Sequence, residues 1–407
     1  MITAKLKDVS QRLHTPINKT MFVKKQTRVL IVDDSAIARA VLGELIDRES
    51  DFLVAGYAAD ALCAMQIIKQ GGIDVVTLDI EMPQINGLEL LKQIMATTPL
   101  PVLMVAGSNA RQASRTLQAL ADGAVHFIEK HQGSVQSFDG FAKRFLAALR
   151  ATSQVKPAFI RDAVSSSDAV KKAAPLTIQK TSPLANQSTN VPTNFPTNFL
   201  TLQGKTPVTH LQSKLDFQII AIGASTGGTE AIRKLLAQLP PDCPPVVVCI
   251  HMPASFTASY ASRLDTQFEQ TVQLMQNRHV LQRGCVYIVP GNQQASILQL
   301  RSGHFITSLQ DALDSDIYKP SIDYLFSSIA KLQTVQCAAF VLTGMGKDGT
   351  IGAAALKKKA IKTGTKIWGQ SEETCVVYGM PKSALEAGVL DAILPIQTIT
   401  AGLFTEP

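Results

Sequence analysis

Short apolar runs alternate with amphipathic stretches in two long parts of this chain, and this alternation limits the fold more than any other feature. The run RVLIVDD (28–34) precedes the helical pattern SAIARAVLGELIDRE, and FQIIAIG (217–223) precedes TEAIRKLLAQL. Buried parallel strands are continuous apolar runs of this kind, joined by amphipathic helices. The pattern therefore predicts α/β domains, each with a parallel sheet covered by helices on both faces. In such sheets, ligands bind beyond the carboxyl ends of the strands.

The same pattern predicts the remaining elements of both parts. In the first part, further strands are predicted at 51–58, 75–80, 101–107 and 124–130, with helical stretches between them. In the second part, strands are predicted at 246–250, 338–344 and 366–370, and helices at 255–266, 322–332 and 351–361. We expect VYIVPG (286–291) and SILQL (296–300) to form a strand pair, with a hairpin at HFITSL.

A stretch rich in proline and serine separates the two parts. Residues 151–215 contain six prolines, a run of three serines and the near-repeat VPTNFPTNF. Without a sustained helical or strand period, this stretch cannot bury enough apolar area to offset the entropy of ordering it. We therefore predict a flexible linker at 150–215 between a domain at 27–149 and a second domain at 216–404. An N-terminal extension at 1–26 precedes them.

The sequence gives no sign of secretion or membrane insertion. No apolar run approaches the ~20 residues that a membrane-spanning helix needs. The first residues, MITAKLKDVSQRLH, lack the apolar core and cleavage site of a secretory signal. The six cysteines are dispersed without a CxxC pair, which suits a reducing compartment and does not support a structural zinc site. We expect a cytoplasmic protein with no stable membrane insertion.

The net charge of +7 lies outside the predicted domains. Residues 1–25 and 151–215 each carry a net charge of +5, so the rest of the chain sums to −3. Sequence-specific DNA binding needs positive charge on a docking face. We therefore expect no nucleic acid among the partners.

Acidic residues follow two strands of the first predicted sheet. Asp33 and Asp34 end the first strand and Asp79 ends the third, so their carboxylates converge at one edge. Clustered carboxylates are costly unless a cation neutralises them, and oxygen ligands suit Mg²⁺. Lys130, at the end of the last strand, can reach the same pocket. Strand-end acids also serve as helix N-caps, but three such acids together with Lys130 favour a cation site.

These segments make residues 27–149 resemble a response-regulator receiver domain, a flavodoxin-like fold with a five-stranded parallel sheet. The matching pieces are VLIVDDS, LDIEMPQINGLELL, VLMV and the final-strand lysine. The resemblance implies that Asp79 accepts a phosphoryl group and that Lys130 contacts it. It also implies that Asp33, Asp34, Asp79 and the Glu81 backbone hold Mg²⁺.

The receiver pattern also assigns a switch aromatic and shows two departures. Phe127 takes the position of the switch aromatic. The family expects Ser or Thr where Ala106 stands, with Ser108 a substitute two residues on, and expects Pro where His131 stands. The Ser or Thr hydroxyl expected at position 106 normally binds the phosphoryl group. We therefore predict that Asp79 is still phosphorylated but that the switch is weakened.

Three polar residues follow strands of the second predicted sheet. Ser225 lies in a glycine-flanked strand-to-helix turn, where backbone N–H groups can stabilise an oxyanion. That turn by itself equally suits a phosphate-binding loop, although the glycine spacing does not match GxGxxG and no Walker lysine follows. His251 follows VVVCI, and Asp348 lies in the turn after AAFVL. Alone, each suits a structural role; together they supply a nucleophile, a base and a carboxylate that orients the base.

Residues 217–404 resemble the catalytic domain of the chemotaxis-specific protein-glutamate methylesterase family. The matching pieces are IAIGASTGGTEAI, IHMP, VYIVPG, KPSIDYLFSSIA, LTGMGKDGTIGAAALK and VVYGMP. The resemblance implies a doubly wound α/β domain with Ser225 as nucleophile, His251 as general base and acid, and Asp348 as its orienting partner. The backbone N–H groups of Thr226 and Met345 are the candidates for the oxyanion hole. The family usually has a His soon after VPG, where this chain has GNQQASI, so substrate contact there is expected to differ.

The two resemblances together predict a phosphorylation-regulated esterase. It would hydrolyse glutamyl γ-methyl esters on methyl-accepting chemotaxis receptors and deamidate receptor glutamines, with a chemotaxis histidine kinase as phosphodonor. No cofactor is expected for the esterase, and Mg²⁺ is expected in the receiver. Two other hypotheses remain. One is a receiver fused to a DNA-binding output, which the acidic balance of the domains disfavours. The other is a non-catalytic binding domain, which Ser225, His251 and Asp348 disfavour.

Overall fold

The computed structural model describes residues 26–107, 109–130, 135–155, 217–332 and 334–404 of the chain. These residues form two α/β units, each built on its own parallel sheet. Nearly all of the N-terminal extension predicted at 1–26 and of the linker predicted at 150–215 lies outside the described residues, as do Ser108 and His131. The extension, the linker and the domain boundaries therefore stay predictions.

The first unit contains a five-stranded parallel sheet in the order β2-β1-β3-β4-β5. Its strands are β1 (Thr27–Val32), β2 (Phe52–Ala58), β3 (Val75–Asp79), β4 (Val102–Ala106) and β5 (His126–Glu129). Its helices are α1 (Ala36–Asp47), α2 (Ala61–Gln70), α3 (Gly87–Thr97), α4 (Ala110–Ala121) and α5 (Val135–Ser153). All five predicted strands and the five-stranded parallel sheet are confirmed.

The apolar strands of the first sheet are buried on both faces. Along β1, Val29 and Ile31 face the core that holds α1 and α5, and Leu30 and Val32 face the opposite core. This alternation follows from the period of two along a strand. Continuous apolar runs are thus explained by helices on both sides of the sheet.

The second unit contains a seven-stranded parallel sheet in the order β14-β13-β12-β6-β7-β9-β8. Its strands are β6 (Ile219–Ala224), β7 (Val246–Ile250), β8 (Thr271–Leu274), β9 (Cys285–Ile288), β12 (Cys337–Val341), β13 (Lys366–Gln370) and β14 (Ala392–Leu394). A separate antiparallel pair is formed by β10 (Gln293–Gln299) and β11 (Phe305–Asp311). The helices are α6 (Gly228–Leu236), α7 (Ala254–Asp265), α8 (Ile322–Ala330), α9 (Thr350–Thr363), α10 (Met380–Glu386) and α11 (Ala401–Phe404), with a 3₁₀ turn at Glu372–Thr374.

One predicted strand pairing in the second unit is wrong. The strand within 286–291 belongs to the main sheet as β9, between β7 and β8, and does not pair with SILQL. SILQL lies in β10, which pairs with the HFITSL strand, β11. Because β9 is buried and apolar, it fits the interior of a parallel sheet better than an exposed hairpin.

The two units share one continuous apolar core. The cluster on one face of the first sheet includes Met104 and Phe127 and continues into Phe256 and Tyr260 of the second unit. Helices α4 and α7 pack against each other along this boundary. Among the described residues, no helix is long and apolar enough to span a membrane.

Candidate active site and acidic pocket

The three predicted catalytic residues lie at one edge of the second sheet. Strands β12, β6 and β7 are adjacent and parallel, so their carboxyl ends lie side by side. Ser225 directly follows β6, His251 directly follows β7, and Asp348 lies in the loop between β12 and α9. The sheet topology therefore brings together three residues that are far apart in sequence.

The loop after β6 holds Ser225 at the start of a helix. Its backbone N–H donates to the Thr343 carbonyl at 3.0 Å, and its carbonyl accepts from the Gly228 N–H at 2.7 Å. Gly227 has a φ of 77°, and a Cβ there would lie 2.4 Å from a Val376 methyl carbon. Only glycine satisfies both constraints. Ser225 is thereby fixed at the amino end of α6, where the helix dipole favours negative charge.

His251 and Asp348 form a direct pair. Nε2 of His251 lies 2.7 Å from Oδ2 of Asp348, whose side chain is 1% exposed. The carboxylate also accepts hydrogen bonds from the Ile322 N–H at 2.7 Å, the Asp323 N–H at 2.9 Å and the Ser321 hydroxyl at 3.0 Å. Burial raises the pKa of Asp348, but its hydrogen bonds and the nearby His251 outweigh burial and hold the pKa below its ordinary value. Asp348 is therefore a stable carboxylate.

The pairing through Nε2 determines which nitrogen of His251 can act as a base. With Nε2–H donating to Asp348, Nδ1 carries the free lone pair. Serine proteases of the chymotrypsin type use the opposite arrangement, in which Nδ1 faces the carboxylate. Among the described residues, no hydrogen bond joins the Ser225 hydroxyl to His251. The structure thus pairs two of the three predicted residues and places the third on the adjacent loop.

Two backbone N–H groups flank the Ser225 position. Thr226 follows Ser225 directly, and its carbonyl accepts a hydrogen bond from the Thr343 hydroxyl at 2.9 Å. Met345 lies in the loop after β12, and Gly344 before it approaches Ser225 closely: a Cβ on Gly344 would lie 2.7 Å from the Ser225 Cβ. Within the described part of the chain, the N–H groups of Thr226 and Met345 donate to no protein acceptor. They are thus free to bind a substrate oxygen.

The sequence interpretation missed three residues around this pair. The ring of Tyr318 stacks on His251, with ring centroids 4.7 Å apart and planes 9° apart. Ser321 donates to Asp348, and Gln294 binds the backbone on both sides of that segment. The piece KPSIDYLFSSIA, which carries the methylesterase resemblance, contains Ser321 and begins directly after Tyr318. This overlap with a matching piece was the sequence signal that could have identified Ser321 and Tyr318.

The predicted acidic pocket forms at the carboxyl edge of the first sheet. Carboxylate oxygens of Asp33, Asp34 and Asp79 all lie within 4.8 Å of one another. The Lys130 ammonium lies 2.8 Å from both Asp33 Oδ2 and Asp79 Oδ2. The N-cap of α1 is Ser35, so capping of that helix does not account for Asp33 and Asp34. An all-oxygen donor set with a clustered negative charge fits Mg²⁺.

Burial and neighbouring charges perturb the titration of this pocket. Burial raises the pKa of Asp79, and the Asp33 carboxylate adds to the rise, while the hydrogen bond from Lys130 opposes it. Burial lowers the pKa of Lys130, but its bonds to Asp33 and Asp79 raise it by more, so Lys130 stays protonated. The pocket thus combines a desolvated carboxylate with a fixed cation.

Two further residues of the receiver resemblance, Glu81 and Ala106, lie near Asp79. The Glu81 carboxylate points toward Arg115 of α4 at 3.8 Å, and the Glu81 carbonyl oxygen accepts no hydrogen bond from the described residues. Ala106 ends β4 fully buried, and its carbonyl accepts from the Lys130 N–H at 2.7 Å. No hydroxyl therefore stands at position 106.

Sequence comparisons agree with both resemblances. Residues 29–137 match the response regulator receiver domain family, and residues 220–403 match the CheB methylesterase family. The protein-glutamate methylesterase/protein-glutamine glutaminase of Thiobacillus denitrificans is 36% identical and covers 91% of this chain and 94% of its own length. A relative of the same name from Bordetella parapertussis is 34% identical, covering 94% and 97%. The chain belongs to the protein-glutamate methylesterase/protein-glutamine glutaminase family.

Solved structures similar to each domain come from Thermotoga maritima. The CheB methylesterase catalytic domain is 35% identical, covers 47% of this chain and 98% of its own, and has a TM-score of 0.44. The response regulator domain of CheB is 42% identical, covers 33% and 100%, and has a TM-score of 0.31. A receiver domain implies phosphorylation with Mg²⁺, and thus phosphorylation control of the attached methylesterase domain.

In this methylesterase the receiver contacts the helix that follows His251. Ser255, in the first turn of α7, donates to the Glu129 carboxylate at the end of β5. Further along α7, Arg263 donates to the Gln118 side chain of α4 at 3.2 Å. Glu129, which contacts the methylesterase domain, directly precedes Lys130, which lies in the acidic pocket.

Proposed function

We propose that this chain is a phosphorylation-regulated protein-glutamate methylesterase that hydrolyses glutamyl γ-methyl esters on chemoreceptors and deamidates receptor glutamines. The proposal depends on one observation above all: the partly buried His251 pairs with the buried Asp348 at 2.7 Å, on loops adjacent to the Ser225 turn. The names of the relatives support both activities. The enzyme would act in the cytoplasm, and its phosphodonor would be a chemotaxis histidine kinase.

In the first half of the reaction, Ser225 forms an acyl-enzyme. Its Oγ attacks the γ-carbonyl carbon of the ester while Nδ1 of His251 takes the hydroxyl proton. The negative oxygen of the tetrahedral intermediate accepts hydrogen bonds from the Thr226 and Met345 N–H groups. The ester C–O bond then breaks, and His251 returns the proton to the departing methoxide, which leaves as methanol. Asp348 stabilises the imidazolium that forms between these two transfers.

In the second half, water releases the product. His251 takes a proton from a water molecule, the hydroxide adds to the acyl carbon, and the Ser225 oxygen leaves with the proton that His251 returns. The products are a glutamate side chain and free Ser225. A glutamine substrate follows the same course, with ammonia in place of methanol.

The receiver would control access to this chemistry through Asp79. We propose Asp33, Asp34, Asp79 and the Glu81 carbonyl as the Mg²⁺ ligands. When bound, Mg²⁺ supplies positive charge that offsets the charge of the transferring phosphoryl group. Asp79 would accept the phosphoryl group, and Lys130, now paired with Asp79 at 2.8 Å, would turn to a phosphoryl oxygen. That movement would pull on Glu129 and its contact with Ser255.

The direct test is methanol release from methylated receptor fragments, with and without a small phosphodonor. Wild type should release methanol and Ser225→Ala should not, and phosphodonor should raise the wild-type rate. Thr266→Ala, which changes a hydroxyl in the exposed C-cap of α7, is a matched control and should behave as wild type. Folded wild type that releases no methanol from a competent substrate would contradict the esterase proposal and favour a non-catalytic binding domain.

A separate experiment tests the phosphorylation site. Incubation with phosphodonor and Mg²⁺, followed by intact mass measurement, should add one phosphoryl group to wild type and none to Asp79→Asn. Asp60→Asn, at the N-cap of α2, is the control and should still be modified. An adduct that persists in Asp79→Asn would move the site elsewhere.

A further inference from the structure

The ring of Tyr318 covers one face of the His251 imidazole. Their centroids are 4.7 Å apart and their planes differ by 9°. Asp348 holds Nε2 of His251 through one hydrogen bond of 2.7 Å, which leaves the imidazole free to tilt about that contact. A flat aromatic neighbour in parallel contact opposes the tilt. Tyr318 and Asp348 therefore restrain His251 from two different directions.

The hydroxyl of Tyr318 reaches the loop that follows β12. Its oxygen lies against Gly346 and near the backbone of Lys347. Gly346 makes this approach possible, since its φ is 86° and a Cβ there would lie 2.8 Å from the Tyr318 oxygen. Met345, whose N–H is a candidate for the oxyanion hole, directly precedes these two residues. One side chain thus contacts both the base and the oxyanion loop.

Gln294 anchors the backbone of Tyr318 to strand β10. Gln294 is buried, with 3% exposure. Its Nε2 donates to the Tyr318 carbonyl at 2.9 Å, and its Oε1 accepts from the Ser321 N–H at 2.8 Å. The Ser321 hydroxyl then donates to Asp348 at 3.0 Å. Satisfied buried networks of this kind hold one arrangement, so the Tyr318 ring is carried by a fixed segment.

We propose that Tyr318 is a positioning residue for the esterase, which holds the His251 ring and the Met345 N–H in register with Ser225. This inference rests on the proposed function and adds to it a residue outside the triad. Tyr318 acts through His251 and the loop of Met345, and does not itself contact the reacting atoms. Its ring face also attracts the imidazolium that forms during each proton transfer.

The test compares Tyr318→Leu and Tyr318→Phe with wild type in the full chain, activated by phosphodonor. Tyr318→Leu removes the stacked ring, and we expect kcat to fall about 10- to 100-fold with KM within about twofold, because binding groups are untouched while alignment is lost. Tyr318→Phe keeps the ring and loses only the hydroxyl, so its kcat should stay within about tenfold of wild type. Tyr324→Leu, at a tyrosine of α8 that is 39% exposed, is the control and should keep the wild-type kcat.

The pH profile separates positioning from a loss of folded protein. Without the aromatic face, the protonated form of His251 is less stable, so the acid limb of kcat should move to lower pH by about half a unit or more in Tyr318→Leu. Tyr318→Phe should leave that limb in place. Partial unfolding would lower kcat at every pH without moving the limb.

The outcomes keep this proposal distinct from the proposed function. If wild type shows no Ser225-dependent methanol release, the proposed function fails. If wild type is active and Tyr318→Leu keeps both kcat and its acid limb, the positioning role alone is overturned. If Tyr318→Leu does not fold, Gln294→Met serves instead: a kcat reduced about threefold or more at constant KM supports the proposal, and an unchanged kcat overturns it.

Discussion

Phe127 of the receiver packs against Phe256 of the methylesterase domain, with ring centroids 4.5 Å apart and planes tilted by 43°. Both rings are buried. Phe127 lies in β5, the strand that leads to Lys130, and Phe256 lies in the first turn of α7, the helix that follows His251. The contact thus joins the strand beside the acidic pocket to the helix beside His251, the proposed catalytic base.

We expect Phe127→Ala to weaken the docking of the two domains. An aromatic pair contributes about 0.5–1.5 kcal/mol beyond the area that it buries. Basal methanol release without phosphodonor should therefore rise about two- to tenfold, and stimulation by phosphodonor should shrink by the same factor. Leu53→Ala, on the exposed face of β2, is the control and should change neither. An unchanged basal rate in folded Phe127→Ala would show that this contact does not restrain the esterase.

Asp348→Asn should remove most of the catalytic rate. The asparagine cannot stabilise the His251 imidazolium and favours the wrong tautomer, so we expect kcat to fall about 10³- to 10⁴-fold. Asp323→Asn is the matched control, because its carboxylate accepts from the Gly352 N–H at 2.7 Å, whereas the partner of His251 is Asp348. That variant should keep kcat within about tenfold. A mild effect at Asp348 would assign the orienting role to another group.

Ala106→Thr should strengthen the phosphorylation switch. Ala106 is fully buried at the end of β4, where a threonine hydroxyl can reach the phosphoryl group on Asp79. One added hydrogen bond of about 1–1.5 kcal/mol should raise stimulation by phosphodonor about five- to tenfold. Ala106→Val supplies the same volume without the hydroxyl and should not raise it. Equal behaviour of the two variants would mean that position 106 does not limit the switch.

The sequence was sufficient for the sheets because their signal is local. An apolar run such as the one that forms β1 predicts a buried strand from its own residues alone. Pairing between strands is not local, which is why SILQL was matched to β9 when its partner is β11. Strand β8, TVQL, was not predicted because it is short and partly exposed at the sheet edge.

The candidate site also divides into residues that a local pattern predicts and residues that only the folded chain brings together. Ser225, His251 and Asp348 could be predicted as a group because each follows a recognisable strand and their chemistry is complementary. Tyr318 was not found because it lies in the irregular segment DSDIYKPS, and its stacking on His251 depends on the folded chain. The contact between Glu129 and Ser255 likewise joins two domains whose relative placement no local pattern records.

The last prediction concerns pH and His126, which lies in β5 beside Phe127. Burial, and to a smaller degree the nearby His251, lower the pKa of His126 from an ordinary value of 6.5 to about 4. The folded chain therefore holds His126 neutral while the unfolded chain binds a proton below pH 6.5. The contribution of neutral His126 to the free energy of unfolding is fully present above about pH 6.5 and is lost as pH falls toward about 4. The total loss is at most about 3 kcal/mol.

Urea unfolding of the full chain between pH 7.5 and about pH 4.5 measures this loss. His126→Gln cannot take up the proton, so we expect the free energy of unfolding to fall less steeply with decreasing pH than in wild type. His304→Gln, at an exposed position beside β11, is the control and should keep the wild-type slope. Basal methanol release should also rise at acid pH in wild type relative to His126→Gln, since protonation of His126 opposes the packing of β5 on α7. If the free energy of unfolding falls equally steeply with pH in wild type and in His126→Gln, His126 is not held neutral by the fold.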